Sequence, residues 1–423
     1  MAGERIVTTG SPIDGVVRMS LTERERKVCD AIAARRERML RELADDVATP
    51  TGTGHAPGID EYRGGLLERL TALGADVRWI EGDPRPDWLW VPPGREAAVT
   101  GGVVPPATAV ATRVVGGRAP TIMIAGHVDT VHDPRGDFRE LTVSADRRTA
   151  TGPGAADMKG GILVAITALE CLAETGHDLP WTMLLNADEE TGSFHSANAL
   201  REVAATHAYG LALEPALPDG SLVIERMGTG MFHLAARGRS AHVGRDFASG
   251  VSAVYALARA ISRIEALVDI DAGRLVSVGP LRGTEVVNAI PDLAECWGNA
   301  RFRNADAADA IGRGLDALAT AADAMPSVTV HSCFSRPAKP CTPEVRRLAE
   351  AARAVAESLD QQLPFAATGG VCDGNIMQEV GLPTIDTLGV RGGNLHRTDE
   401  FVELASLVER AQLFAVLLLR LSS

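Results

Sequence analysis

No apolar run in this 423-residue chain approaches the ~20 residues needed to span a bilayer, so no membrane crossing is expected. Positive charge is in deficit. There are 42 Lys and Arg against 55 Asp and Glu, a formal charge of −13, which excludes the basic surface that nucleic acid or an anionic membrane would recruit. The six cysteines (Cys29, Cys171, Cys296, Cys333, Cys341 and Cys372) are scattered and form no Cys-x-x-Cys pair. That rules out a disulfide or zinc-ribbon framework and suits reduced thiols in a cytoplasm. The stretch from Met1 to Ser20 contains Glu4, Arg5 and Asp14 but no apolar h-region, so no secretory signal is expected there. Repeats and low-complexity tracts are also lacking.

What remains is ordinary globular composition, 45% hydrophobic and 23% charged, in a chain too long for one core. Two domains are expected. The stretch from Thr121 to Thr130, Thr-Ile-Met-Ile-Ala-Gly-His-Val-Asp-Thr, organises the first. Its apolar run predicts a buried parallel strand. Residues two apart in an extended chain face the same way, so His127 and Asp129 share a side. A carboxylate beside an imidazole fixes its tautomer and raises its basicity, as it does behind metal-bound histidines. Alone, the pair could equally be a hydrogen-bonded strand end.

The spacing predicts a helix over 21–47 and another over 59–73, a strand over 75–80, then Pro/Gly-rich loop and short strands to 120. Next comes Thr151-Gly-Pro-Gly-Ala-Ala-Asp157-Met-Lys-Gly-Gly161, ahead of an apolar helix over 162–175. It has neither phosphate-loop spacing, and Asp157 sits where an anion would bind, so a cation fits better. A strand over 181–187 runs into Asp188-Glu189-Glu190, and a strand over 208–213 ends in Glu214. Consecutive acids at the end of a buried strand are costly unless hydrated or bound to a cation. Three strands thus bring His127, Glu189/Glu190 and Glu214 to one sheet edge, where open α/β sheets bind ligands.

From Met227 to about Arg336 the pattern changes to strand, helix (250–267), strand (275–278), a strand pair over 285–303, helix (306–324) and strand (328–334). That is the split βαβ, ferredoxin-like order. The expected organisation is an N-terminal arm (1–20), a catalytic domain in two parts (21–227 and 337–423), and an inserted domain (228–336). The fold class is α/β with a mixed sheet and an α+β insertion.

In order, the motifs are Gly-His127-Val-Asp129-Thr, Gly-Pro-Gly-Ala-Ala-Asp157-Met-Lys-Gly-Gly, Asp-Glu189-Glu190-Thr-Gly-Ser, Glu214-Pro, Gly-Arg-Ser-Ala-His242, Asn288-x-Ile-Pro and His396-Arg-Thr-Asp-Glu400. On these the chain resembles the dinuclear metal-dependent amidohydrolases and peptidases that include acetylornithine deacetylase, succinyl-diaminopimelate desuccinylase, aminoacylase and bacterial glutamate carboxypeptidases. The resemblance covers roughly residues 30–420. Its wording departs around Asn394–Arg397 and Gly369–Asn375, where a substrate would be sensed.

The resemblance implies a metallopeptidase-type catalytic domain with an inserted lid and dimerisation domain. It implies one divalent ion held by His127, Asp157 and Glu214, and a second by Asp157, Glu190 and His396. Such ligands suit Zn²⁺, with Mn²⁺ or Co²⁺ as alternatives. Two such ions share a water and lower its pKa. Glu189 resembles the general base that takes the proton of that water, with Asp129 behind His127. The Asp157–Met158 peptide is expected to be cis. His242 reads from its neighbours as a surface turn; the resemblance makes it an oxyanion donor reaching a partner subunit. Arg301 and Arg336 match places that hold a substrate carboxylate, with salt bridges inside the small domain as the plain alternative, and Asn288 would join them on the substrate. The other histidines read as structural or exposed.

The leading expectation is hydrolysis of the amide bond of a small N-acyl amino acid, dipeptide or related amide by a cytoplasmic homodimer. The alternatives are another C–N bond, as in an aromatic amine or ureido compound, and a non-catalytic binding relative.

Overall fold

A computed structural model describes residues 20–91 and 106–422; nearly all of the expected N-terminal arm lies outside them. The main sheet has six strands in the order Asp76–Ile80, Thr108–Arg113, Trp181–Asn186, Ile122–His127, Tyr209–Ala212 and Thr384–Ile385. The first two run antiparallel and the last four are mutually parallel, so the sheet is mixed. Alternation along Ile122–His127 sorts its side chains to two cores. Ile122 and Ile124 join the large core, whereas Met123 and Ala125 join a smaller one with Leu200, Ile376 and Met377. A strand covered on both faces reads as a continuous apolar run, which is why it was visible in the sequence.

The helix Lys159–Glu174 is buried almost all round, between the sheet and the helix Leu404–Leu421. The helix expected over 21–47 is two, Glu23–Ala34 and Arg36–Ala48. The first starts on a Thr22/Glu25 capping box. The break falls at Arg35, whose guanidinium reaches Glu170 at 2.6 Å and also pairs with Glu174 on the central helix. Tertiary ion pairing places this bend, and no Gly or Pro announces it.

A second sheet has the order Arg274–Arg282, Leu293–Phe302, Gly228–Arg237, Ser327–Arg336, all antiparallel. With the helices Ala253–Glu265 and Ala305–Asp316 it makes the expected β-α-β-β-α-β order around its own core of Phe232, Leu234, Ile264, Phe302 and Ile311. Two details differ from expectation. Residues 285–303 are not a strand pair: Ala289–Ile290 pairs with Ala241–His242 instead, and Leu293–Phe302 is the long strand. The second helix ends at Asp316 rather than near 324, because Thr320 turns back onto the next strand. Its N–H donates to Val328 O, and its hydroxyl accepts from Val328 N.

A small four-stranded sheet (Gly392–Gly393, Phe401–Glu403, Thr149–Thr151, Thr142–Val143) was not expected. It pins the loop holding His396 beside the loop that leads to Asp157.

Candidate metal centre

His127 ends its strand, and its ring is fixed from both sides. Nδ1–H donates to the Asp129 carbonyl oxygen at 2.9 Å, and Nε2 lies 3.2 Å from Asp157 Oδ1. The Asp129 carboxylate is fully buried and accepts the backbone N–H groups of Glu189 and Glu190, each at 3.2 Å. One acid therefore holds the acidic turn against the histidine strand. The Asp157–Met158 peptide is cis, as the resemblance implied.

Asp157 lies between two histidines, with Oδ1 toward His127 and Oδ2 3.4 Å from His396 Nε2. The same His396 nitrogen is 3.4 Å from Glu190 Oε2. Atoms of His127, Asp157 and Glu190 lie within 4.8 Å of one another, a spacing that one cation could bridge. Glu214 lines the same cavity but stands outside that tight group. Two glycines let the chain close around it. A Cβ on Gly161 would lie 2.1 Å from the Leu213 carbonyl oxygen, and one on Gly389 would lie 2.4 Å from it.

The electrostatics call for a cation. Burial pushes the Glu190 and Glu214 carboxyls far above the usual range, and neighbouring acids, Asp157 among them, push the same way. Burial also works against the charge of Asp157, yet His127 and His396 hold its carboxyl below the usual range. Among the described residues, Glu190 Oε1 is buried and accepts no hydrogen bond. An orphaned carboxylate oxygen beside two imidazoles and further acids fits a divalent ion.

Glu189 is set differently. Its Oε1 lies 2.7 Å from Arg336 Nη2, and that same guanidinium donates to the Glu189 carbonyl and to Ser193 Oγ. Burial raises the Glu189 carboxyl to about 7, with Arg336 and His127 pulling down. Arg336 is thus already engaged with an acid. Arg301 lines the cavity with no carboxylate in ion-pair range among the described residues. The structure does not bring His242 or Asn288 into their own chain's cavity. Both are exposed, side by side, with Val243 N–H donating to the Asn288 carbonyl.

Three supporting residues carried no role in the sequence reading. Glu400 is buried, accepts the backbone N–H groups of Ala156 and Asp157, and pairs with His132 at 2.8 Å. Asp373 accepts from Ser193 and Asn186 and stands 3.8 Å from Arg336. Asn375 donates to the carbonyls of Met227 and Pro337. Glu400 closes the last quoted motif, whereas Asp373 and Asn375 lie in the Gly369–Asn375 stretch whose wording departs from the family's. Arg226 also lines the cavity, held by both oxygens of buried Asp386, which Lys339 further neutralises.

The model of peptidase family M20/M25/M40 matches residues 123–420. Carboxypeptidase G2 of a Pseudomonas species is 26% identical over 412 residues, covering 93% of this chain and 94% of that protein. Succinyl-diaminopimelate desuccinylase 2 of Shewanella loihica is 26% identical over 328 residues, covering 72% of this chain and 85% of that protein. The aminopeptidase PepT of Bacillus cereus shares the fold with a TM-score of 0.70 at 24% identity, over 92% of this chain and 99% of that one. The ordered motifs, the buried His/carboxylate cluster and these matches agree: the chain belongs to peptidase family M20/M25/M40 and is a metal-dependent hydrolase.

Proposed function

We propose that this protein cleaves the amide bond of a small N-acyl amino acid, dipeptide or related amide with the help of two divalent ions, of which Zn²⁺ suits the ligands best. The observation that carries the reading is Asp157, one carboxylate facing an imidazole on each side at 3.2 and 3.4 Å. His127, Asp157 and Glu214 would hold one ion, and Asp157, Glu190 and His396 the other. Bound there, the ions would polarise the scissile carbonyl and acidify water. Glu189 takes the proton of the attacking water and returns it to the leaving nitrogen, and Arg336 keeps its carboxylate in place meanwhile. Arg301, with no acid of its own, receives a carboxylate of the substrate. The cavity, about 710 Å³, suits a small molecule.

Among the described residues no helix is long and apolar enough to cross a membrane, and cytoplasmic action is part of the proposal. The test is hydrolysis of a panel of N-acyl amino acids, dipeptides and aryl amides by protein of verified metal content, with Zn²⁺ or Mn²⁺ added. Release of amine from the first two classes is expected. Metal-loaded protein that cleaves no amide would sink the reading.

The proposal includes a homodimer in which His242 serves the neighbouring site. Its support is that His242 and Asn288 lie outside their own cavity, on a unit with exposed Phe247, Tyr255, Val286 and Val287. Light scattering is expected to give twice the 44.5 kDa chain mass. Mixing inactive His242→Ala with inactive Glu189→Gln is expected to restore part of the activity, because one site per heterodimer holds both native groups. A monomer, or no rescue after proven subunit exchange, would rule the shared site out.

A further inference from the structure

The odd-numbered residues on two strands of the inserted sheet face away from that unit's core. Thr229, Met231, Asn299 and Arg301 line the metal cavity, while their even neighbours Phe232, Leu234 and Ala300 are in the core. Farther along the same face stand Trp297 and His233, with His331 on the next strand, paired across in one row. His233 stacks on Trp297 at 4.5 Å between ring centroids and on His331 at 5.9 Å.

A segment of the catalytic domain lies over this row. Trp88 stacks on His331 at 5.9 Å, and Trp90 packs tilted on Trp297 at 4.9 Å. Trp297 Nε1–H donates to the Trp88 carbonyl at 2.6 Å, and the Arg282 guanidinium sits 4.8 Å from the centre of the Trp90 ring. At its other end the segment is tied to the acidic turn. Asp83 N–H donates to the His195 carbonyl, His195 Nδ1–H donates to the Asp83 carbonyl at 2.6 Å, and His195 N–H donates to Asp188 Oδ2 at 2.6 Å. Trp90 itself lines the metal cavity.

The two chain crossings into the inserted unit lie at the opposite end of the sheet. There Gly228 pairs with Phe302, Thr229 pairs with Arg336, and one Asn375 amide holds both crossings. Contacts at a pivot resist rotation poorly because they have no lever arm. His233 is five residues farther along than Gly228, roughly 17 Å at about 3.3 Å per residue. A clamp at that distance fixes the angle that the crossings leave free.

We propose that residues 83–91 form a strap that sets the gap between the two domains, with Trp88 and Trp90 as positioning residues that hold Arg301 and Asn299 at their distance from the acidic turn. The strap acts through the inserted sheet and touches none of the metal-binding candidates. This does not depend on which amide is cleaved, and its test needs no substrate.

Spin labels on cysteines placed at Glu357 and Ser262, both exposed and in different domains, report the inter-domain distance in the full-length protein. Cys333 and Cys341 would be replaced by serine, since the other native cysteines are buried. With the two tryptophans intact, and with Trp90→Phe, a single narrow distance distribution is expected. Trp88→Ala with Trp90→Ala is expected to lose that single peak while far-UV circular dichroism is unchanged. His331→Ala, an exposed change from the other side of the contact, is expected to broaden it as well and serves if the double variant fails to fold. A narrow distribution in the folded double variant, or in His331→Ala should the double variant not fold, would overturn the strap.

Discussion

Glu189→Gln is expected to lower kcat by about 10²–10⁴-fold, the usual worth of a positioned general base, while KM and metal content stay near wild type. The geometry gives the reason. Glu189 stands outside the tight His127, Asp157 and Glu190 group, so an amide in its place leaves those ligands intact. Gln is also nearly isosteric, and its amide oxygen still accepts from Arg336, which keeps Asp373 at 3.8 Å. What disappears is the capacity to hold a proton between the attacking water and the leaving nitrogen. The loss corresponds to about 2.7–5.5 kcal/mol of transition-state stabilisation. Steady-state kinetics with metal analysis of the same samples reads it. A variant with more than a tenth of wild-type kcat would mean that another group is the base.

Asp157→Asn is expected to reduce bound divalent metal from two ions to at most one and to bring amide hydrolysis to background. The substitution preserves shape and the backbone hydrogen bonds to Glu400. It removes the negative charge that two cations would share, and a neutral amide is a poor ligand for either. A second readout follows from mass action. Free metal at 100 times its dissociation constant adds about 2.7 kcal/mol of stability per site, so added Zn²⁺ should raise the wild-type Tm more than that of the variant. Two tightly held ions in Asp157→Asn, by plasma mass spectrometry after gel filtration, would contradict the bridging role.

The parts of this centre differ in how they could be read from the chain. His127, the Glu189/Glu190 pair and Glu214 follow apolar strands that are buried on both faces, so period and position both pointed to one sheet edge. Asp157 and His396 sit on loops, where no period exists, and only motif wording marked them. His396 even holds a left-handed backbone, φ +66°, which no pattern announces. Glu400, Asp373 and Asn375 each reach a partner more than a hundred residues away in the chain, and such partners exist only once the fold has closed. The tryptophans of the strap lie in a Pro-rich stretch without periodicity, so nothing in their spacing places them on the inserted sheet. The ferredoxin-like order was legible from alternation and helix spacing, but the pairing of 285–303 was not. Ala289–Ile290 pairs with residues 47 and 49 positions earlier, not with its neighbour.

The Asn375 amide bears on how separable the two halves of this protein are. Its single side-chain nitrogen donates to Met227 O at 2.9 Å and to Pro337 O at 2.7 Å, so the points where the chain leaves and re-enters the catalytic domain are neighbours. About two residues of extended chain would close that gap. In engineering terms the inserted unit is a cassette on one socket: it could be exchanged for a unit of different reach, provided the replacement keeps Arg336, which holds the Glu189 carboxylate and carbonyl.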